Sequence, residues 1–471
     1  MGETPFIDDA SAMIRSKGFQ KFARTLNSRV AYFVPHSFLF AILLTFTAYF
    51  LGVFITYQGP FDMVKFWVNG VWNLLSFSMQ MVLMVAAGFS VASAPVIQKM
   101  LRSLAVIFRT PRSATMFLTA VTAFCSLLHW GLGIIFGAFL AREMGRRIPR
   151  VDYPLLVAGA FIGMGAGNLG IFASDPLVIR RAGYFLEKAA GIVPSTESSW
   201  SVVTFAGLIL GVVAVTVFMG LICPEENECT PPAPEILERF EREDQAEEVS
   251  LAAEREISRR GKMSLGMRLE HSRWPVWLIS IMGFSYIVFW FYGRGFALNL
   301  NILTFVLFTL ALSLHDTPMH FLMSMERSAR AAHGIIVQFP FYAGTQGMLA
   351  SSGLAAIFSG WVASVASAAT FPTLVYIQAV ILNLFAPTSG SVWEIQAPLM
   401  VKAAETLNAS LPRAIQAIST GETIGNVIHP FWTIPLMGIC GLSVRDIMGY
   451  CLMAFLLLSV IWVLCFNFLA M

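Results

Sequence analysis

Charge is what this chain has least of. Lysine, arginine, aspartate and glutamate make up 13% of its 471 residues, where a soluble domain carries about 25%. Apolar runs near the roughly 20 residues that cross a hydrocarbon core recur along it, and 56% of the chain is hydrophobic. Together these exclude a water-exposed globule. Short alternating segments are also missing, which excludes a membrane β-barrel. No Gly-x-Ser-x-Gly, His-Glu-x-x-His or Gly-x4-Gly-Lys-Ser/Thr string occurs, so nothing points to a hydrolase, a zinc protease or an ATP-driven pump. The chain reads as no enzyme, without a cofactor and without a nucleic-acid partner. Six cysteines (Cys125, Cys223, Cys229, Cys440, Cys451 and Cys465) are too scattered for a disulfide framework and read as small hydrophobes. His315 and His320 flank Asp316 in what reads as a cytoplasmic loop, too sparse a set for a metal.

What is present is an all-α polytopic membrane protein. Residues 1–33 carry Arg15, Lys17, Lys21, Arg24 and Arg29 and no signal-peptide pattern, so they read as a cytoplasmic amphipathic arm. A first membrane repeat covers 34–223 and a second covers 274–471. Between them, 224–273 holds Pro231, Pro232 and Pro234 and dense Glu and Arg, the composition of a solvated cytoplasmic connector with a short surface helix.

Topology turns on two basic loops. Lys99, Arg102, Arg109 and Arg112 precede an apolar run, and Arg142, Arg146, Arg147 and Arg150 follow it. Cytoplasmic loops are rich in Lys and Arg. If both lie inside, the run between them must enter and return. This predicts a re-entrant hairpin over 114–141 with its tip at His129-Trp130-Gly131-Leu132-Gly133. A second hairpin over 371–401 would have its tip at Pro387-Thr388-Ser389-Gly390-Ser391, where Pro387 and Gly390 disrupt the helix. Each is followed by a Gly-x3-Gly-Asn string inside an apolar stretch: Gly163 to Gly167-Asn168, and Gly421 to Gly425-Asn426. Counting crossings from a cytoplasmic N-terminus places the C-terminus in the periplasm and the halves in opposite orientation, an inverted repeat with a broken helix in each copy.

Two kinds of site follow. Half-helices starting at the hairpin tips aim free N–H groups and a positive dipole end at an anion. Substrate candidates are therefore His129, Trp130, Gly131, Gly133, Thr388, Ser389, Gly390, Ser391, Trp393 and Gln396, with Gln338 from another apolar run. Carbonyls freed at the Gly-Asn breaks suit a cation, giving Gly163, Gly167, Asn168, Gly421, Gly425 and Asn426 as coupling-ion candidates. Glu422 joins them because an ionisable group inside a span is expensive. Na⁺ could bind there, or Glu422 or His129 could carry H⁺. The same glycines also suit simple close helix contact, and Trp130 and Trp393 also suit packing.

The chain resembles the bacterial short-chain fatty acid uptake transporters of the acetoacetate and butyrate type. The resemblance is carried by Phe66-Trp67, Trp72-Asn73-Leu74-Leu75, Trp130-Gly131, Asp152-Tyr153-Pro154-Leu155-Leu156, Val337 to Gly344, Gln396, Pro398, Pro430-Phe431-Trp432 and Val444 to Cys451. It implies a place in the wider ion-transporter superfamily, an elevator-type mechanism with scaffold and moving domain, and a homodimer. The second tip departs from the family's Pro-Ser-Gly-Gly-Gly pattern by reading Pro387-Thr388-Ser389-Gly390-Ser391. The expectation is a multi-pass transporter of the bacterial inner membrane, among its lipids, taking up a small monocarboxylate by Na⁺ or H⁺ symport. A dicarboxylate or other small organic anion is the alternative within transport. A passive anion channel or a membrane sensor is the alternative outside it.

Overall fold

A computed structural model describes residues 5–169, 193, 196–197, 200–259, 264–295, 299–387 and 391–469. Among these, all regular structure is helical. The first part runs α1 (Pro5–Phe33), α2 (Ser37–Ile55), α3 (Pro60–Val71), α4 (Leu75–Ser93), α5 (Pro95–Ala105), α6 (Pro111–Leu128), α7 (Trp130–Arg147), α8 (Tyr153–Gly167) and α9 (Val202–Ile222). Then come α10 (Pro234–Arg259), α11 (Leu265–Glu270), α12 (Arg273–Arg294), α13 (Leu300–Leu314), α14 (Pro318–Ser351) and α15 (Leu354–Val365). The chain closes with α16 (Phe371–Phe385), α17 (Ser391–Thr406), α18 (Leu411–Val427), α19 (Pro430–Cys440) and α20 (Val444–Phe468).

Start signals explain many of these boundaries. Thr110 caps α6 by accepting from Ser113 N at 3.2 Å, with Pro111 in the first turn. Asp152 caps α8 by accepting from Leu155 N at 3.0 Å. Ser443 and Asp446 form a capping box at α20. Five described helices (α2, α4, α9, α12 and α20) are long and apolar enough to span a bilayer. Ala332–Ser351 of α14 and α15, bent by 59° at a short break, make up to a sixth.

Residues 114–141 fall on one pair of helices, α6 and α7. Gly137 faces Thr122 and Gly133 faces Ser126, so positions fall along one arm as they rise along the other. The arms are antiparallel and joined at His129. The second is α16 and α17, whose Gln396 donates to Gln378 Oε1 at 2.8 Å and Val375 O at 3.2 Å.

Packing divides most of the helices into two groups. In one, α14 receives α2, α3 and α4: Thr45 meets Thr345 at 2.9 Å, Ser90 meets Ser324 at 2.8 Å, and Gly70 lies on the α14 backbone. In the other, α8 and α18 lie at the centre of α6, α7, α9, α16, α17 and α20. All residues of α18 from Ala414 to Val427 are buried. The groups meet where α14 lies on α19 and where α4 and α5 lie on α7.

Three expectations need correction. The basic segment after α4 holds an amphipathic helix, α5, that buries Leu101 and Ala105 while leaving Arg102 out. The segment carrying His315 and His320 is no exposed loop. Thr317 caps a 34-residue helix there, and both imidazoles are buried with ring centroids 4.6 Å apart. The connector 224–273 is docked. Its α10 buries Phe240, and Arg142 of α7 pairs with Glu243 at 2.5 Å and Asp244 at 3.2 Å while covering the Phe240 ring at 4.2 Å. Arg146 adds a 2.7 Å pair to Asp244. The acids that suggested a solvated segment thus answer the basic end of the first hairpin.

Candidate functional site

The two Gly-Asn strings behave alike. Gly163 and Gly167 of α8 point at α6, where a Cβ would fall on the carbonyl oxygens of Thr119 and Ala123. Gly421 of α18 points at α16, where a Cβ would lie 2.6 Å from Tyr376 O, and Gly425 faces Asn383. Each central helix therefore lies parallel to and nearly in backbone contact with the first arm of its own hairpin. Small residues permit that approach. The glycines are helical, and the breaks follow them: Asn168 is the C-cap of α8, and α18 ends one residue after Asn426.

The C-terminal ends of these central helices meet, since a Cβ on Gly165 would touch Val427 at 2.5 Å. Carbonyl-bearing helix ends are negative. Asn426 is buried there and accepts from Asn383 Nδ2 at 2.8 Å, while Asn383 Oδ1 has no hydrogen-bond donor among the described residues. Glu422, only 3% exposed, lies one turn before Asn426.

Two helix N-termini converge on the same region. His129 is the N-cap of α7, with Nδ1 accepting from Gly131 N at 3.0 Å. His429 is the N-cap of α19 in the same manner, accepting from Phe431 N at 3.1 Å. Because Nδ1 accepts in both, the ring proton sits on Nε2 of the neutral imidazole. His429 Nε2 lies 3.0 Å from Leu384 O, tying the α19 start to the end of α16. Trp130 and Trp432 follow these histidines and meet edge to face at 4.9 Å. Phe431 continues the aromatic wall to Phe339 and Tyr342 of α14. The Trp432 Nε1 and Tyr342 hydroxyl atoms are buried without partners among the described residues.

Of the sequence-predicted residues, His129, Trp130, Gly131 and Gly133 lie together at the first tip. A Cβ at Gly131 would run into Met84, and one at Gly133 into Ser126. Gln338 is buried one helical turn from Tyr342 and opens on a cavity of about 1130 Å³ that also takes in Phe89, Arg142 and Met437. Gln396 is fully buried in a chain through Gln378 to Ser359 of α15. Trp393 is buried on α17. Thr388, Ser389 and Gly390 lie outside the described residues, as does the Ser391 side chain. Sequence reasoning left His429, Trp432, Asn383 and Tyr342 out of the site. The signal for the first was His429-Pro430, since a proline in the first turn marks a new helix start.

These elements define a polytopic helical membrane protein of transporter type, with paired half-helix ends at its centre. Residues 19–469 match the family described as short chain fatty acid transporter. A protein of Escherichia coli (strain K12), named as a candidate short-chain fatty acid transporter, is 34% identical over 444 residues, covering 94% of this chain and 98% of its own. A protein of the same name from Haemophilus influenzae is 32% identical over 456 residues, with 95% and 99% covered. The chain belongs to the short-chain fatty acid transporter family. The solved YdaH transporter of Alcanivorax borkumensis aligns over 92% of this chain and 98% of its own at 16% identity and a TM-score of 0.41, too loose a match to carry fold or function.

Proposed function

We propose that this protein takes up short-chain fatty acids or related small monocarboxylates across the bacterial inner membrane by ion symport. The observation that carries the reading is the pairing of helix ends: two N-termini at Trp130 and Trp432, and two C-termini at Gly165 and Val427. The N-terminal pair suits a carboxylate, with the dipole ends, Trp432 Nε1 and the Tyr342 hydroxyl as its partners. The indole faces suit a short acyl tail. The C-terminal pair, with Asn383, Asn426 and Glu422, suits the coupling ion, Na⁺ or H⁺. Thr388, Ser389, Gly390, Ser391, Trp393 and Gln396 belong to the second hairpin in this reading and would act from its tip.

An inverted repeat accounts for helix ends of the same polarity meeting at the centre. The two packing groups fit an elevator, with the α14 group as scaffold and the α8 and α18 group as the moving part. A homodimer would cover the apolar α12, whose span is only 17% buried. The N-terminus is assigned to the cytoplasm and the C-terminus to the periplasm.

Uptake into proteoliposomes tests the reading. Labelled two- to six-carbon carboxylates should accumulate above the outside concentration under an inward Na⁺ or H⁺ gradient, and an ionophore should abolish accumulation. Equilibration without accumulation would identify a passive channel. Uptake confined to dicarboxylates would replace the substrate.

A further inference from the structure

Two thiols stand at the root of the connector, away from the central helix ends. Cys223 caps α9 and is 2% exposed, and Cys229 ends the short turn Glu226–Glu228 and is partly exposed. Their sulfurs share one acceptor: Sγ of Cys223 lies 3.7 Å and Sγ of Cys229 3.8 Å from the carbonyl oxygen of Pro224. The intervening segment is held in place from several sides. Thr230 N donates to Asp152 Oδ2 at 3.2 Å, Tyr153 N donates to Thr230 O at 2.8 Å, Lys17 pairs with Glu225 at 3.1 Å, and Arg24 pairs with Glu228. Two thiols brought together on a pinned turn, one buried and one reachable, are the arrangement of an attacking and a resolving cysteine. Cys229 is the more exposed of the two, which favours it as the attacking thiol. The remaining four cysteines are set in other helices, three of them buried.

We propose that Cys223 and Cys229 form a reversible dithiol–disulfide site, with peroxide as the oxidant, at the joint between α9 and the connector helix α10. The Cys229 thiolate attacks a peroxide oxygen and breaks the O–O bond, giving a sulfenic acid and hydroxide. That hydroxide takes the proton Cys229 gave up and leaves as the first water; the Cys223 thiol then attacks the sulfenic sulfur and gives its own proton to the expelled hydroxide, which leaves as the second. Two thiols and one hydrogen peroxide become one disulfide and two waters. The bridge closes the 223–229 turn covalently, fixing the segment that leads from the membrane bundle into the docked α10. A dithiol reductant reverses it by exchange.

Full-length protein in lipid nanodiscs, treated with hydrogen peroxide and then N-ethylmaleimide, supplies the test. The wild type should lose two alkylatable thiols, its 223–229 peptide should lose the mass of two hydrogens, and dithiothreitol should restore both. In C223S, dimedone should trap a sulfenic acid on Cys229; in C229S, neither a bridge nor an adduct on Cys223 should form. Full alkylation of both cysteines after peroxide would overturn the proposal, as would dimedone reacting at Cys223 of C229S as fast as at Cys229 of C223S. The wild-type measurement decides the matter even if a variant folds poorly.

Discussion

Trp130 and Trp432, one residue and three residues past the two histidine caps, meet with ring planes at 81°. Two half-helices from opposite halves of the chain thus share one aromatic contact. If the acyl tail lies against it, Trp432→Ala opens room for a longer tail. One methylene is worth about 1–3 kcal/mol of discrimination in an apolar pocket. The preference for four-carbon over six-carbon carboxylates should therefore fall about tenfold, read from competition of unlabelled acids against labelled uptake. An unchanged preference would move the tail elsewhere.

Asn383 and Asn426 bind each other at 2.8 Å in a fully buried setting. Asn426→Leu leaves the Asn383 amide without its acceptor, which costs about 1–3 kcal/mol for a buried polar group. Beyond that modest loss of thermal stability, uptake should fall at least tenfold and its apparent ion affinity should weaken. Removal of uptake with unchanged ion dependence would make the pair structural.

Gly421 and Gly360 separate close contact from helix propensity. A Cβ at Gly421 meets the Tyr376 carbonyl, whereas nothing lies within 4 Å of one at Gly360. Overpacking against backbone costs about 1–3 kcal/mol, and alanine gains up to about 1 kcal/mol over glycine in a helix. Gly421→Ala should lower, and Gly360→Ala raise or hold, the unfolding temperature in detergent.

Arg142 is 5% exposed and bonded to two acids of α10. Removing one partner of a buried ion pair costs on the order of 3 kcal/mol. Arg142→Met should release α10, read as new protease cleavage between 234 and 259. The Arg273–Asp316 pair is 63% exposed on both sides, so Arg273→Met should shift stability by less than about 1 kcal/mol.

How far the fold was legible depended on how each helix meets its surroundings. α2, α9, α12 and α20 leave half or more of their spans unburied and are apolar nearly throughout, so run length revealed them. The break between α6 and α7 was legible because His129 and Gly131 interrupt an apolar run that arginines bracket. α5 and the first half of α14 were not, because each buries one face and presents charge on the other, which in sequence looks like a polar loop. In the site, His129 and Trp130 were visible because they interrupt an apolar run. His429 and Trp432 were less so, because Pro430 and Phe431 keep that run apolar, and only the chain's return brings them to the first tip. The glycines before each Asn were read as ion-site elements. The Cα faces of Gly163, Gly167 and Gly421 lie against hairpin carbonyls and that of Gly425 against the Asn383 side chain, contacts that spacing in the sequence does not reveal.

The α6–α8 and α16–α18 seams have a mechanical consequence. Where backbones touch, there are no rotamers to rearrange: sliding either helix by one residue would drive a Cβ into a carbonyl. Each seam acts as a weld. A shift of either hairpin would therefore carry its central helix with it, whereas Gly334 of α14 meets the Ile434 side chain of α19.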